Sequence, residues 1–264
     1  MDKLSKDLIK KNDPDTSVRL NKYLSDAGIC SRREADRMIE KGKVQIDGQT
    51  AVMGQKVSPG QIVVCDGKKV DTDDRLILLA VNKPVGIECT TAHNNPDNIV
   101  DFIKYPSRIF PIGRLDKNSS GLILMTNAGE ISDQILRASN YHEKEYQVTV
   151  DKPLTKEFLK KMHDGVEIEL EDGKRKVMTR QCQIEANGKC SFQIVLTQGF
   201  NRQIRRMCET LGFHVLTLKR TRIMNIQLGN LSEGHYRNIS ESEIRKLLKD
   251  LKKTDREEKN DGTR

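Results

Sequence analysis

The sequence predicts an α+β fold in two parts, a small N-terminal unit and a larger unit rich in strands. Runs of apolar or alternating residues, which are typical of strands, recur through the larger part, with helix patterns between them. These runs cover 76–81, 122–126, 144–150 and 192–196. Because sheet elements dominate and helices are interspersed, we expect an α+β domain.

Composition narrows the class of protein. The chain has 264 residues, 36% of them apolar and 32% charged. Its longest clean apolar run has six residues (76–81), whereas a membrane-spanning helix needs about 20, so we expect no membrane partner. Six scattered cysteines lack metal-site spacing, and residues 1–13 lack the apolar stretch of a secretory signal. We therefore expect a cytoplasmic protein with reduced thiols and no bound metal.

The N-terminal elements follow from local signals. A first helix should cover 20–27 and end at Gly28, and Ser31 with Glu34 forms a capping box that begins a second. On that second helix Arg33 and Arg37 face away from the apolar side. A hairpin turn is expected at 47–48.

These elements define the expected domains. We predict a flexible segment at 1–16, a compact unit at 17–66 and a charged linker at 67–75. A second domain should cover 76–248, and the charged tail, 249–264, should be disordered.

The distribution of charge indicates a polyanionic partner. The net charge is +8, and residues 201–225 hold six basic residues and one acidic residue. Within a helix predicted at 201–211, Arg205 lies at the flank of the apolar stripe, whereas Arg202 and Arg206 point away from it. Arg202 and Arg206 therefore suit RNA phosphates, and Arg205 suits a partly buried position beside a carboxylate.

One loop offers a candidate catalytic carboxylate. Asp116 lies in 113–122, a stretch of small, turn-forming residues between two apolar runs. Gly113 and Gly121 permit tight turns and close approach of a ligand. A single loop aspartate is usually a turn residue, so its interpretation depends on the rest of the chain.

The N-terminal unit resembles an S4 RNA-binding domain. The matching segments are 19–24 (RLNKYL), 31–35 (SRREA) and 44–48 (VQIDG). The resemblance implies that the two helices form a basic surface for structured RNA. Its candidate phosphate contacts are Arg19, Lys22, Arg32, Arg33 and Arg37.

The second domain resembles the pseudouridine synthases that carry an S4 domain. Four segments match in order: 82–86 (NKPVG), the Asp116 loop, 144–146 (KEY) and 199–207 (GFNRQIRRM). The resemblance implies a mixed, largely antiparallel sheet flanked by helices. It also implies isomerisation of uridine within RNA, in which C5 replaces N1 at C1′ of the ribose. That reaction is redox-neutral, so no cofactor is expected.

The resemblance also assigns roles to individual residues. Asp116 is the nucleophile or base, Tyr146 stacks on the target base, and Arg205 pairs with Asp116. Arg114, Ile204 and Leu218 are assigned to the flipped nucleotide. Lys83 with Pro84 is interpreted as structural. The further RNA contacts are Arg202, Arg206, Arg220 and Arg222.

The expected substrate is 23S-type ribosomal RNA, because 142–153 and 219–225 resemble the synthase F group of large-subunit enzymes. A tRNA is a possible second substrate, since different RNAs share stem-loop shapes. Two alternatives stay open: a 16S ribosomal RNA synthase, whose helix motif tends to carry Lys in place of Arg205, and a non-catalytic ribosome-assembly factor. Nothing in the sequence demands more than a monomer.

The basic face of the second helix gives a first prediction. Replacing Arg33 and Arg37 by Ala should weaken RNA binding and reduce the salt dependence of the affinity by a slope of about 1 for each lost phosphate contact. The measurement is the dissociation constant for ribosomal RNA across a salt titration. Unchanged affinity and slope would show that this face does not touch the RNA.

Overall fold

The computed structural model describes residues 17–71, 75–92, 94–137, 141–171 and 173–261, with side chains to 251. The predicted flexible segment at 1–16 lies outside them. The chain divides into two compact units. The described part of the first comprises 17–71, 75–77, 105–109 and 126–129, and that of the second comprises 78–92, 94–104, 110–125, 130–137, 141–171 and 173–261.

The first unit combines two short helices with small sheets. Its elements are β1 (Val18–Arg19), α1 (Leu20–Asp26), α2 (Arg32–Glu40), β2 (Val44–Ile46), β3 (Gln49–Thr50), β4 (Lys56–Val57), β5 (Val63–Cys65) and β6 (Lys68–Lys69). Strands β3-β2-β5-β6 form one sheet, and β1 pairs with β4. Leu20 and Leu24 of α1 and Ala35 and Ile39 of α2 pack into its apolar core.

The predicted local signals operate in this unit. The first helix ends before Gly28, whose φ of 79° is in the left-handed region. The Ser31 side chain accepts a hydrogen bond from the Glu34 N–H at 3.2 Å, which confirms the cap. The Glu34 carboxylate contacts Arg37. Asp47 and Gly48 both have positive φ, as the predicted hairpin turn requires.

The structure corrects the predicted linker at 67–75. A second hairpin turns at Asp66 and Gly67, both at positive φ, and places β6 against β5. Val70 is then buried in the core of the first unit. Strand β6 consists of two exposed lysines, Lys68 and Lys69, at the edge of the sheet, so composition alone concealed the strand.

From Leu78 onward the chain forms a large mixed sheet with helices. The elements are β7 (Leu78–Lys83), α3 (Ile99–Ile103), β8 (Phe110–Ile112), β9 (Ser120–Thr126), α4 (Gly129–Leu136), β10 (Lys144–Val150), α5 (Lys156–Asp164), β11 (Glu167–Glu169), β12 (Lys176–Met178), β13 (Gln183–Gly188), β14 (Ser191–Leu196), α6 (Gln203–Thr210), β15 (Val215–Ile223), β16 (Ile226–Gln227), β17 (Tyr236–Asn238) and α7 (Glu241–Asp261). Each predicted strand of this part has an observed counterpart.

The main sheet confirms the predicted mixed, mostly antiparallel architecture. Its strand order is β13-β14-β10-β15-β9-β7-β17, with β8 on β9 and β16 on β15. Strand β10 pairs antiparallel with both β14 and β15, whereas β15 pairs parallel with β9. The parallel pair aligns Arg220 with Gly121, directly after the Asp116 loop. Side chains of β10 and β14 and of helices α5 and α6 share one apolar core.

Helix α6 begins later than the sequence predicts. The predicted start was Asn201, but Arg202 adopts a left-handed φ of 53° and the helix begins at Gln203. The Gln203 side chain accepts a hydrogen bond from the Phe200 N–H at 3.0 Å and closes the preceding turn. This geometry turns Arg202 outward at the start of the helix.

The C-terminal segment differs from its prediction. Helix α7 runs to Asp261, through most of the tail that was expected to be disordered from 249. Leu247, Leu248 and Leu251 are buried and anchor the helix. The residues beyond are mostly Lys, Arg and Glu, which favour helix once a helix has started. Of the helices in the described residues, none is long and apolar enough to cross a bilayer.

A capping box begins α7 and gives a second prediction. Glu243 accepts bonds from Arg237 at 2.8 and 2.9 Å and from the Ser240 N–H at 2.9 Å. Arg237 is the largest of the influences that lower the pKa of Glu243 to about 2. Its folded pKa lies below the unfolded value, so its stabilisation is present above pH ~4.5 and is lost as pH falls toward 2.

Glu243→Gln should therefore lower the free energy of unfolding by about 1–3 kcal/mol at pH 7, with the difference from wild type vanishing toward pH 2. Urea denaturation at pH 7, 4 and 3 measures this. Glu241→Gln is the control, because its exposed pair with Arg245 should contribute less than about 1 kcal/mol. A difference that is independent of pH would contradict the assignment.

Candidate active site

The Asp116 loop joins β8 to β9 and is fixed by its backbone. Gly113 begins it with a φ of 73°, and the Ser119 N–H donates to the Asp116 carbonyl at 3.0 Å in a tight turn. Leu115 is buried in the apolar core, whereas the next side chain, Asp116, is 32% exposed. The buried leucine therefore anchors the loop while the carboxylate stays accessible.

Arg205 of α6 connects this loop to β15. Its Nη2 donates to the Asn118 carbonyl at 2.8 Å and to Ser119 Oγ at 3.3 Å, and its Nη1 donates to the Val215 carbonyl at 3.1 Å. Burial is the largest of several influences that lower the pKa of Arg205, whereas Asp116 raises it. The arginine thus sits where the sequence placed it, on the flank of the helix and largely buried.

The contact between Arg205 and Asp116 is electrostatic. Arg205 Nε lies 4.0 Å from Asp116 Oδ2, beyond hydrogen-bond distance. No described residue accepts a bond from Nε. At this distance the guanidinium and the carboxylate still attract each other, because the pair is shielded from solvent on the arginine side. The carboxylate oxygens keep their hydrogen-bonding capacity for a ligand.

Strand β10 presents Tyr146 to the same region. The tyrosine is 9% exposed and belongs to the apolar core, yet its ring also borders the space above Asp116. Its strand neighbours are Ile194 and Arg220. The Arg220 guanidinium carbon lies 6.0 Å from the centre of the ring.

A cavity of about 410 Å³ unites these groups. Asp116, Tyr146 and Arg205 line it, as do the residues predicted to hold the flipped nucleotide, which are Arg114, Ile204 and Leu218. Arg202 and Arg220 also reach it. Its lining combines apolar side chains with charged ones, of which Arg114 and Arg202 are exposed. This combination suits a flat base inside the cavity with its phosphate outside. The described residues hold no cluster that could bind a metal ion.

Comparison with known proteins identifies the family of this chain. The family model "RNA pseudouridylate synthase" matches 77–210, which includes Asp116, Tyr146 and Arg205, and the S4 domain model matches 18–63. The chain belongs to the RNA pseudouridylate synthase family. It is an enzyme that isomerises uridine in RNA, so the alternative of a non-catalytic assembly factor falls away.

Individual relatives support the same family. The synthase is 50% identical over 238 residues to "Dual-specificity RNA pseudouridine synthase RluF" of Escherichia coli (strain K12), covering 89% of this chain and 80% of the relative. It is 37% identical over 242 residues to an uncharacterized RNA pseudouridine synthase of Mycobacterium leprae, covering 89% and 94%. A crystal structure of a pseudouridylate synthase matches with a TM-score of 0.62 at 28% identity, covering 88% of this chain and 100% of the other.

Arg220 is buried, which the sequence analysis did not predict. It was grouped with surface contacts to RNA, but it is 4% exposed on a central strand of the synthase sheet. Its Nε donates to the Leu122 carbonyl at 2.6 Å and its Nη1 to the Arg114 carbonyl at 3.4 Å. Arg220 thereby ties together the two ends of the Asp116 loop from below.

Two other predicted RNA contacts lie outside the cavity lining and are bonded to the protein. Arg206 donates to the Glu169 carbonyl and to Asn201. Arg222 forms ion pairs with Glu143 at 2.9 Å and Glu145 at 3.2 Å. The charge of Arg222 is thus balanced within the synthase, and the basic window offers fewer available cations than the sequence suggests.

The predicted S4 contacts are distributed over the first unit. Arg19, Lys22 and Arg32 line one shallow pocket, and Lys56, which the sequence analysis did not identify, lies in the same pocket. Arg33 and Arg37 are exposed on α2, with Arg37 paired to Glu34 at 2.7 Å. Surface pairs of this kind are weak, so they do not prevent contact with phosphate.

Two lysines complete the description of the site. Lys83 is fully buried, and its ammonium donates to the carbonyls of Pro84 and Ile87, both at 2.8 Å, and of Lys117 at 3.5 Å. These bonds support the structural interpretation of Lys83. Lys144 lines the cavity, and sequence reasoning gave it no role although it belongs to a matching segment. Its signal was the two-residue spacing from Tyr146 on one strand.

The close approach of β9 to β15 gives a third prediction. Gly121 has a φ of 101°, and a Cβ there would lie 2.3 Å from the Arg220 carbonyl oxygen. Gly121→Ala should therefore lower the free energy of unfolding by about 3 kcal/mol and reduce activity, because Arg220 must move. Urea denaturation and single-turnover assays measure both effects.

The control is Gly229→Ala, at a φ of 56°, where a Cβ would meet no described atom within 4 Å. It should cost about 1 kcal/mol, the strain of the left-handed backbone alone. Equal losses for the two variants would show that the contact with Arg220 adds nothing.

Proposed function

We propose that this synthase modifies uridine in 23S-type ribosomal RNA, with a tRNA as a second substrate. Support comes from the segments that resemble the large-subunit group and from the 50% identity to a relative whose name states dual specificity. Arg205 also favours this branch over the 16S enzymes, whose helix motif tends to carry Lys. The assignment of 16S RNA as the substrate is the alternative that the experiment below separates.

Asp116 is the proposed catalytic group, and its position in the cavity is the observation that carries the proposal. Asp116 is the carboxylate among the residues that line the cavity, and Arg205 Nε lies 4.0 Å from its Oδ2. In the reaction the C1′–N1 bond breaks and a C5–C1′ bond forms. Asp116 acts on the ribose, by attack on C1′ or by removal of a ribose proton.

In this proposal Tyr146 and Arg114 bind the target nucleotide and the RNA around it. The target base must leave its stack before the sugar can reach Asp116, at a cost of a few kcal/mol. The Tyr146 ring offers a stacking surface within the cavity, beside Ile204 and Leu218. Arg114 is exposed at the rim, where it can hold the RNA that the flipped nucleotide leaves behind.

The basic residues supply affinity. Arg202 is exposed at the cavity rim, and Arg19, Lys22 and Arg32 share a pocket of the first unit. Such contacts position RNA phosphates without reading sequence. All residues that line the cavity belong to one chain, which supports a monomer. The six cysteines of the protein are free thiols, which supports a cytoplasmic location.

Asp116→Asn tests the proposal, as a fourth prediction. In a deletion strain, wild type should restore pseudouridine at a site in 23S RNA, whereas Asp116→Asn should restore none at that site. RNA affinity of the variant should stay within about twofold, because basic contacts dominate binding. Pseudouridine mapping of 23S, 16S and transfer RNA gives the first result, and filter binding gives the second.

The control is Asp164→Asn, which alters an exposed carboxylate at the end of α5 and should restore modification fully. Restored modification by Asp116→Asn would contradict the catalytic assignment. Wild-type modification confined to 16S RNA would contradict the proposed substrate.

A further inference from the structure

The catalytic cavity holds more positive charge than its carboxylate balances. Of the buried cations in and beside it, Arg205 faces Asp116, and Lys83 is surrounded by three carbonyl oxygens. Lys144 and Arg220 remain. Neither has a carboxylate partner among the described residues, although buried charges are normally paired.

Lys144 is half-buried in the cavity wall. Its ammonium makes one long bond, 3.3 Å, to the His142 carbonyl, which leaves most of its donor capacity unused. Burial lowers the pKa of Lys144 to about 8, and the nearby charge of Arg220 contributes in the same direction. The ammonium is therefore still the main form at neutral pH, but its environment disfavours the charge.

Arg220 carries an unused donor in the same wall. Its Nε and Nη1 are bonded to the carbonyls of Leu122 and Arg114, but Nη2 is buried and meets no acceptor in the part of the chain that the structure describes. A buried donor without an acceptor carries a cost in stability. An acceptor that arrives with the substrate would remove that cost.

The neighbouring carboxylates are unavailable to these two cations. Glu143 precedes β10 and Glu145 lies on it, one on each side of Lys144 in sequence, and both are ion-paired with Arg222. Glu145 also accepts a bond from Thr221 at 2.7 Å. Lys144 and Tyr146 are two residues apart on β10 and both line the cavity, whereas Glu145 between them does not, as strand alternation requires. The excess positive charge is thus a property of the fold.

We infer that Lys144 and Arg220 bind the carbonyl oxygens of the target uracil and stabilise the negative charge that the base acquires when its bond to the ribose breaks. The inference rests on the family's reaction and on the proposed placement of the target nucleotide in this cavity. Lys144 and Arg220 border the same space as Tyr146, the proposed stacking ring. In the proposed complex a base stacked on that ring shares the cavity with both cations.

The charge of the base changes during the reaction. When C1′–N1 breaks, the bonding electron pair stays on N1, and the charge spreads to O2 and O4. The detached base then turns, C5 bonds to C1′, the C5 proton is released and N1 takes up a proton, so the composition is unchanged. Donors fixed beside O2 or O4 stabilise the anion more than the neutral base, which lowers the barrier.

A phosphate is a poorer ligand for this pair. It would carry full charge into a buried site, at a large cost in lost hydration. Exposed arginines at the rim, Arg114 and Arg202, can meet phosphates where water remains. A uracil enters neutral and becomes charged only after water has been excluded. Buried cations without a resident anion suit that sequence of events.

Lys144→Met tests the inference, as a fifth prediction. The RNA is a fragment that the wild-type enzyme converts, whichever RNA the mapping identifies, so failure of the 23S assignment does not affect the test. At saturating RNA the single-turnover rate should fall about 100-fold, with the dissociation constant within about twofold of wild type. Lys144→Arg should recover at least about tenfold of that loss, because it keeps a cationic donor. Lys160→Met, which removes an exposed charge on α5, should match wild type.

The decisive comparison uses an RNA whose target base is a better leaving group than uracil. Fluorine at C5 stabilises the uracil anion, so RNA with 5-fluorouridine at the target should depend less on Lys144. The ratio of wild-type to Lys144→Met rates for 5-fluorouridine consumption, measured by mass spectrometry of digested RNA, should be at least about tenfold smaller than the ratio for uridine. A purely structural role of Lys144 would leave the two ratios equal.

The remaining outcomes would each overturn the inference. A weaker affinity with an unchanged rate at saturating RNA would identify a phosphate contact. Equal ratios for uridine and 5-fluorouridine, or equal losses for Lys144→Met and Lys144→Arg, would show that charge on the base is not what Lys144 stabilises. Arg220→Lys keeps a cation but loses the fixed fork of donors that includes Nη2, so it should shift the same two ratios in the same direction as Lys144→Met, by a smaller factor.

Discussion

Two buried arginines hold the Asp116 loop by its main chain, and the rest of the site depends on them. Arg205 reaches from α6 to the Asn118 carbonyl, and Arg220 reaches from β15 to the carbonyls of Arg114 and Leu122. The parallel contact of β9 and β15 brings Arg220 under the loop. Bonds to three main-chain carbonyls therefore position the carboxylate, although its own side chain makes a single long contact, with Arg205, among the described residues.

Much of the fold follows from local sequence signals. The helix cap at Ser31, the hairpin at 47–48 and the alternating strand at 144–150 were all predictable, because each depends on a few adjacent residues. Strand β6 and the length of α7 were not. Strand β6 consists of two exposed lysines and forms because it pairs with β5. Helix α7 continues beyond its buried leucines through charged residues whose composition predicts disorder.

The candidate site was predictable in part. The resemblance named Asp116, Tyr146 and Arg205, and the structure gathers them around one cavity, but their roles stay predictions. Arg220 was misjudged because an arginine in a basic run suggests an exposed surface. Its burial arises from the central position of β15 and from Gly121 on the next strand, which are non-local facts. Likewise, only the pairing of both glutamates with Arg222 leaves Lys144 unbalanced.

Anchoring through carbonyl groups has a consequence for the evolution of this enzyme. Every residue has a main-chain carbonyl, so the bonds from Arg205 and Arg220 survive substitution at Asn118 and Arg114. The exposed side chains of the loop can therefore be substituted during evolution without displacing the carboxylate. A lineage can acquire contacts to a different RNA at these positions while the geometry of the reaction is inherited unchanged.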